Sequence, residues 1–193
     1  AASDVYKRQS KDSSGGKSVV VIEKGEPKSC NIVTSCEGKG KTFIMFSDDL
    51  DKALATFVLA NGAAATGQKV TIFFTFWGLN VIKKLHKPET EKDIFGKMFG
   101  MMLPSSSKKL KLSKMSMGGI GGKMMRYIMN KKGIDSLESL RQQALENGVE
   151  FIACQMSMDV MGVKQEELLD EVTIGGVATY MERADNANVN LFI

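Results

Sequence analysis

Short runs of apolar residues alternate along this chain with segments in which apolar residues recur at helical spacing. Residues 42–46 and 69–76 form two such runs, and each is apolar enough to be a strand buried on both faces of a sheet. Between them, apolar residues recur every three or four positions from Leu50 to Val58, which predicts a helix that ends at Gly67. This strand–helix–strand order is typical of a parallel sheet with right-handed crossover connections.

The same alternation continues in the second half of the chain. A sequence resembling a capping box at residues 135–138 predicts the start of a helix, and an apolar run at 149–153 predicts the strand that follows it. We therefore predict an α/β fold built on a parallel sheet of about five strands. The other predicted elements are a short helix at 77–80, a helix at 165–170, a strand at 172–174, a helix from 175 to about 187 and a strand at 190–193.

The residues before this alternating region do not fit the same pattern. Residues 1–17 show no periodicity and are interpreted as a disordered or artefactual leader. Residues 18–40 contain a clear strand at 18–25, which has no evident partner, and then a polar linker rich in glycine. We therefore place the α/β domain at residues 41–193, with a separate insertion at 88–132.

The insertion is basic and rich in methionine. Nine of the 26 basic residues and none of the 22 acidic residues lie within 94–134, and eight of the 13 methionines lie there too. A mobile lid over the end of the sheet or an oligomer contact is the favoured interpretation, and binding to a membrane surface through 94–134 is the alternative. Nucleic acid is not expected as a partner, because the segment has few aromatic residues to stack on bases.

Cys154 follows the predicted strand at 149–153 directly. This position is the carboxyl edge, where open parallel sheets place their reactive groups. We expect Ser157 and Asp159 to cap a short helix whose N–H groups point back toward the sulfur. Such a site lowers the pKa of the thiol and so favours the thiolate. An ordinary thiol, with a pKa near 8.5, is only about 3% ionised at pH 7. The alternative is a buried cysteine that acts as a small apolar side chain.

Other kinds of site are poorly supported. Three cysteines are too few for a disulfide scaffold, which favours a reducing, cytoplasmic setting. Cys30 and Cys36 do not have a zinc-ligand spacing, and His86 is the only histidine and lies among lysines at the predicted surface, so we expect no metal and no cofactor. Residues 118–123 lack the serine or threonine of a phosphate-binding loop and are interpreted as a flexible hinge. Asp48 and Asp49 are interpreted as helix-cap residues.

Four blocks of sequence carry a family resemblance. Residues 153–162, Ala-Cys-Gln-Met-Ser-Met-Asp-Val-Met-Gly, resemble the signature of the DsrE/DsrF/DsrH-like family. Residues 74–79, 175–180 and 190–193 match further parts of the same family in the same order. The resemblance covers residues 41–193 and is greatest to a larger branch that has a methionine-rich insertion and carries the loose label peroxiredoxin-like.

The resemblance implies a fold, a function and partners. The implied fold is a three-layer sheet of flavodoxin or Rossmann type that assembles into homo- or hetero-oligomers. The implied function is sulfur trafficking, with a persulfide carried on Cys154 and exchanged with rhodanese or TusA-like carrier proteins. The strand at 18–25 resembles the last strand of a TusA-like domain.

The leading hypothesis from the sequence is therefore a sulfur-relay protein in which Cys154 takes up and passes on a sulfur atom. Gln155, Met156 and Ser157 are expected to form the rim of the site, and Trp77 and Ser47 its walls. Whether turnover is catalytic or stoichiometric stays open. One alternative is a thiol peroxidase acting through a sulfenic acid. The other is a non-enzymatic module that acts through the insertion at an oligomer or membrane surface.

Overall fold

A computed structural model describes residues 40–85, 104, 106–114 and 119–193. The leader at 1–17, the strand at 18–25 and almost all of the linker lie outside these residues. Cys30, Cys36 and His86 also lie outside them, as does part of the insertion. The predictions made for those positions stay predictions.

A single parallel sheet runs through the described part of the chain. Its five strands lie in the order β4-β3-β2-β1-β5, and every pair of neighbours is parallel. This confirms the predicted α/β fold and strand number. The strands are β1 (Gly40–Met45), β2 (Val70–Phe74), β3 (Glu150–Cys154), β4 (Thr173–Gly175) and β5 (Ala187–Phe192).

Five α-helices are described, and their boundaries differ slightly from those predicted. They are α1 (Leu50–Ala65), α2 (Ile120–Lys131), α3 (Leu137–Glu146), α4 (Gln155–Met161) and α5 (Val177–Asp185). The strand predicted at 69–76 stops at Phe74, because the chain turns at Thr75 into the 3₁₀ helix Phe76–Ile82. The helix predicted at 165–170 is only one 3₁₀ turn, Gln165–Glu167.

The two faces of the sheet are covered unequally. The larger core packs alternate strand residues, such as Met45, Phe74 and Phe151, against Phe57 of α1 and residues of α3 and α4. The smaller core packs the other strand residues against α5 alone. This follows from topology, because β1 to β4 advance across the sheet in one direction while α5 returns the chain to β5 on the far side of β1.

The turn after β2 crosses tightly over the end of β1. Gly78 donates its N–H to the carbonyl oxygen of Phe46 at 2.8 Å. A Cβ at Gly78 would overlap the carbonyl of Met45, so only glycine fits there. Phe76 has a φ of 47°, a strained value for a bulky residue. The carboxyl edge of the sheet is therefore built under local strain.

The described parts of the insertion pack against the start of α1 and α3. Lys111 accepts a hydrogen bond from the N–H of Leu50 at 2.7 Å, and the Ser107 hydroxyl donates to Glu138 at 2.9 Å. The hinge predicted at 118–123 is wrong from Ile120 onward, because those residues begin α2. Gly122 lies close against the carbonyl of Leu110, a contact that supports a helix despite the glycines.

Candidate functional site

Cys154 is the last residue of β3 and occupies the N-cap position of α4. The predicted strand-end position is therefore correct. The predicted capping by Ser157 and Asp159 is wrong, because α4 begins at Gln155 and both residues lie inside it. Ser157 is instead fully buried, and its hydroxyl shares a 2.8 Å hydrogen bond with the hydroxyl of Thr75 at the end of β2.

The side chain of Cys154 is buried, with only 1% of its surface exposed. It packs in the smaller core with Phe73, Ile152, Tyr180 and Ala184. The sequence hypothesis required a thiol that solvent can reach, and this expectation is wrong for the conformation described. On this face of the sheet the core that holds Cys154 is completed by α5, which contributes Tyr180 and Ala184.

The cover formed by α5 is short and preceded by two glycines. Gly175 pairs with Cys154 in the register between β3 and β4, and a Cβ there would lie 2.8 Å from the side chain of Ile152. The adjacent Gly176 has open space around it and is the N-cap of α5. Two side chains of α5 hold it to the sheet. The hydroxyl of Tyr180 lies 3.3 Å from that of Thr42, and Arg183 forms an ion pair with Glu150.

Gln155 and Met156 lie on the exposed side of α4. The Gln155 side-chain amide donates to the carboxylate of Asp159 at 3.0 Å. These two residues follow Cys154 directly, so they lie at the surface beside the end of β3. Ser157 points inward. The structure therefore brings two of the three predicted rim residues to the surface and buries the third.

Ser47 and Trp77 lie at the same edge of the sheet, after β1 and β2. Ser47 makes local contacts at the start of α1: its hydroxyl donates to the carboxylate of Asp49 at 2.8 Å and accepts from Lys52 at 3.3 Å. Trp77 is exposed and stacks on Phe46, with ring centroids 6.3 Å apart.

The strand register relates these residues to Cys154. Met45, Phe74 and Ala153 are paired across β1, β2 and β3, so the next row contains Phe46, Thr75 and Cys154. Neighbouring strands lie about 4.8 Å apart, which places Phe46 roughly two strand spacings from Cys154. Ser47 and Trp77, the predicted walls, thus belong to the edge of the sheet that holds Cys154. Trp77 itself contacts Phe46.

Sequence reasoning missed an exposed group of aromatic side chains at this edge. Phe46 contacts Phe76 at 5.5 Å and Phe192 at 5.7 Å between ring centroids, in addition to Trp77. Phe192 ends β5, Phe46 directly follows β1, and Phe76 and Trp77 begin the 3₁₀ helix after β2. That shared position was the signal available in the sequence.

Sequence reasoning also missed a polar feature at the carboxyl edge, the contact between Asn80 and Asp48. The side-chain amide of Asn80 is fully buried and donates to the carboxylate of Asp48 at 3.0 Å, while its own Oδ1 has no hydrogen-bond partner among the described residues. Burial raises the pKa of the Asp48 carboxyl above its ordinary value. The interpretation of Asp48 as a helix cap is therefore wrong, since its side chain bonds to Asn80.

Residues 40–85, 104, 106–114 and 119–193 contain neither a cluster of metal ligands nor a helix suited to cross a membrane. No three histidine, cysteine or acidic side chains are grouped there so that they could hold a metal ion. None of the helices in these ranges has the length and apolar character needed to cross a membrane.

Comparison with known proteins identifies the family. Residues 38–192 match the sequence model of the DsrE/DsrF/DrsH-like family. The chain belongs to this family. It is 44% identical over 155 residues to the uncharacterized protein YrkE of Bacillus subtilis, covering 80% of this chain and 97% of YrkE. It is 37% identical over 161 residues to the sulfur carrier protein DsrE2 of Allochromatium vinosum, covering 81% of this chain and 99% of DsrE2.

Among solved structures, the ychN protein from E. coli is similar to this DsrE/DsrF/DrsH-like chain, with a TM-score of 0.48 and 11% identity. The match covers 80% of this chain and 99% of ychN. The match to the family model and the identity to DsrE2 confirm the family resemblance seen in the sequence. The TusA-like segment and the branch with the methionine-rich insertion stay predictions.

Proposed function

We propose that this chain is a sulfur-relay protein that carries a persulfide on Cys154. The observation that carries the proposal is the 37% identity to a protein named as a sulfur carrier, which extends over 99% of that protein. The position of Cys154 at the carboxyl end of an interior strand adds support, since reactive groups of parallel sheets lie at this edge.

The transfer is an exchange between sulfur atoms. The Cys154 thiolate attacks the outer sulfur of a donor persulfide, R–S–SH, and a new S–S bond forms as the old one breaks. Cys154 then carries –S–SH, and the donor leaves as the thiolate R–S⁻, which takes up the proton that Cys154 lost. An acceptor thiolate repeats the step in reverse. No external oxidant or reductant is consumed.

Because Cys154 is buried, the transfer requires a conformation in which α5 moves away from β3. Several observations support the N-terminal turn of α5 as the moving part. It follows Gly175 and Gly176, and the core beneath the helix is the smaller of the two. The open state would expose the Cys154 sulfur beside the first turn of α4, whose leading N–H groups have no partner within the helix.

The surrounding residues have separate roles in this proposal. Gln155 and Met156 form the outer rim, and Ser157, bonded to Thr75, forms the inner wall. Trp77 and Ser47 border the same edge of the sheet. Donor and acceptor are proteins of the rhodanese or TusA-like kind, the chain acts in the cytoplasm, and it works as a homo-oligomer.

Intact-mass measurement tests the proposal. The full chain with Cys30→Ser and Cys36→Ser is incubated with a persulfide donor, beside a matched variant that also carries Cys154→Ser. We expect the first protein to gain the mass of one sulfur atom, reversibly with a thiol, and the second to gain none. Equal loading of both proteins, or loading of neither, would contradict the proposal.

Peroxide treatment of the same pair addresses the peroxidase alternative. Under the relay hypothesis, Cys154 gains sulfur from the donor faster than it gains oxygen from peroxide. Rapid peroxide consumption that depends on Cys154, without sulfur loading, would replace the relay with peroxidase chemistry.

A further inference from the structure

The insertion helix α2 presents an apolar stripe to solvent. Ile120, Met124, Tyr127 and Ile128 are all exposed. They are spaced four, three and one residues apart, so they share one side of the helix. From Ile120 to Ile128 the stripe is about 12 Å long at about 1.5 Å per residue.

The stripe cannot turn inward to join the hydrophobic core, because the opposite side of α2 is already packed. Gly122 and Met129 are buried there. A Cβ at Gly122 would lie 3.2 Å from the carbonyl oxygen of Leu110, so the helix is seated close against that segment. Rotating the stripe inward would break this contact. The apolar side is therefore fixed in its outward direction.

The charged residues of α2 and of the segment before it are all basic. Lys123, Lys131 and Lys132 are exposed on or directly after α2, and no acidic residue occurs anywhere from 94 to 134. Arg126 is less available to a binding partner than the lysines, because it already pairs with Glu138 at 3.5 Å. Four more exposed lysines lie in the neighbouring segment: Lys108, Lys109, Lys111 and Lys114.

We propose that this side of α2 binds an anionic lipid surface, with the helix lying in the plane of the interface. An apolar stripe bordered by lysines matches the boundary between acyl chains and anionic headgroups, and a tyrosine suits the headgroup level. A second copy of the chain fits less well, since a symmetric contact through this surface would bring lysines against lysines. The surface belongs to α2 and is independent of Cys154.

Vesicle co-sedimentation of the full chain tests this. The vesicles are phosphatidylcholine with or without phosphatidylglycerol, and the variants are Met124→Ser and Lys123→Glu. The matched controls are Met181→Ser, since Met181 on α5 is 50% exposed and Met124 is 49% exposed, and Lys69→Glu, at an exposed lysine before β2. We expect binding only to anionic vesicles, with partitioning reduced roughly tenfold by each α2 variant and unchanged by each control.

Other outcomes would overturn the inference. Absence of binding to anionic vesicles would do so, as would binding that the α2 and control variants reduce equally. If the α2 variants changed only the sedimentation of the protein without vesicles, the occupant would be a second copy of the chain. Circular dichroism of each variant shows that the fold is kept.

Discussion

The two edges of the sheet differ in the hydrogen bonding of their buried polar atoms and in the strain of their backbone. At the amino edge, Glu150 accepts hydrogen bonds from Thr71 at 2.8 Å and from Arg183 at 3.0 and 3.2 Å. At the carboxyl edge, the Oδ1 atom of Asn80 has no partner among the described residues, and Phe76 has a strained φ. Unpaired buried polar atoms and strained backbone are often found at functional sites.

The helix α5 connects these two edges. Near its C-terminal end, Arg183 pairs with Glu150, and in its first half Tyr180 packs in the smaller core that also holds Cys154. The first contact is a charged pair at the surface, and the second is apolar packing. Under the relay proposal, we expect α5 to stay anchored by Arg183 and to open at its N-terminal turn.

The largest expected effect comes from removing the Tyr180 side chain from the core that holds Cys154. Tyr180→Ala removes a buried ring that lies 5.2 Å from Phe73 between centroids, and we expect a loss of about 3 kcal/mol in the free energy of unfolding. Alkylation of Cys154 by iodoacetamide, measured in the background without Cys30 and Cys36, should become at least several-fold faster than in the parent protein.

The control for this prediction is Met181→Ala, an exposed position on the same helix. It should leave the alkylation rate unchanged. If Tyr180→Ala reacts no faster than the parent protein under native conditions, α5 is not the barrier to the thiol.

A smaller effect of opposite sign is expected at Asp48. Burial raises the pKa of this carboxyl above its usual 3.8, so folding favours its protonated form. The folded state therefore loses stability as pH rises from about the unfolded value through the raised folded value, and the cost persists at neutral pH. Asp48→Asn removes that cost and provides an amide N–H group for the Oδ1 atom of Asn80. We expect a gain of about 1 kcal/mol at pH 7.

Urea denaturation at pH 4 and pH 7 checks this prediction. The difference in unfolding free energy between the variant and the parent should be larger at pH 7 than at pH 4. Asn80→Ala is the comparison variant, because it removes the unpaired oxygen but leaves the carboxylate. A variant Asp48→Asn that is less stable than the parent at pH 7 would show that the charge is stabilising there.

The sheet and the position of Cys154 were predictable because they depend on local pattern. Apolar runs bounded by polar residues set β1, β2 and β3, and the end of a buried strand sets the edge at which Cys154 lies. Burial of Cys154 was not predictable from the same pattern. It depends on contact with Tyr180, which comes from a helix 26 positions later on the opposite face of the sheet from α4.

Two local predictions failed because tertiary contacts overrode propensity. Glycines at 121 and 122 favour a flexible segment when considered alone, yet the missing side chain of Gly122 allows α2 to approach Leu110. Ser157 is a good helix cap by residue type, but it contributes its hydroxyl to Thr75, which lies 82 residues earlier in the chain. Long-range partners of this kind leave no signal at their own positions.

The smallest expected effect lies at the amino edge. Hydrogen bonds from Arg183, helped by Thr71, hold the pKa of Glu150 below its usual value, so the pair stabilises the fold above the unfolded pKa and loses that contribution as pH falls through the folded pKa. Because both side chains are more than a third exposed, solvent screening limits the effect, and Glu150→Gln should cost only about 0.5 kcal/mol at pH 7. The parent and the variant should converge in urea denaturation as the pH falls below the folded pKa of Glu150. If Glu150→Gln also accelerates alkylation of Cys154 as much as Tyr180→Ala does, α5 moves as a rigid unit and the assignment of anchor and opening ends must be abandoned.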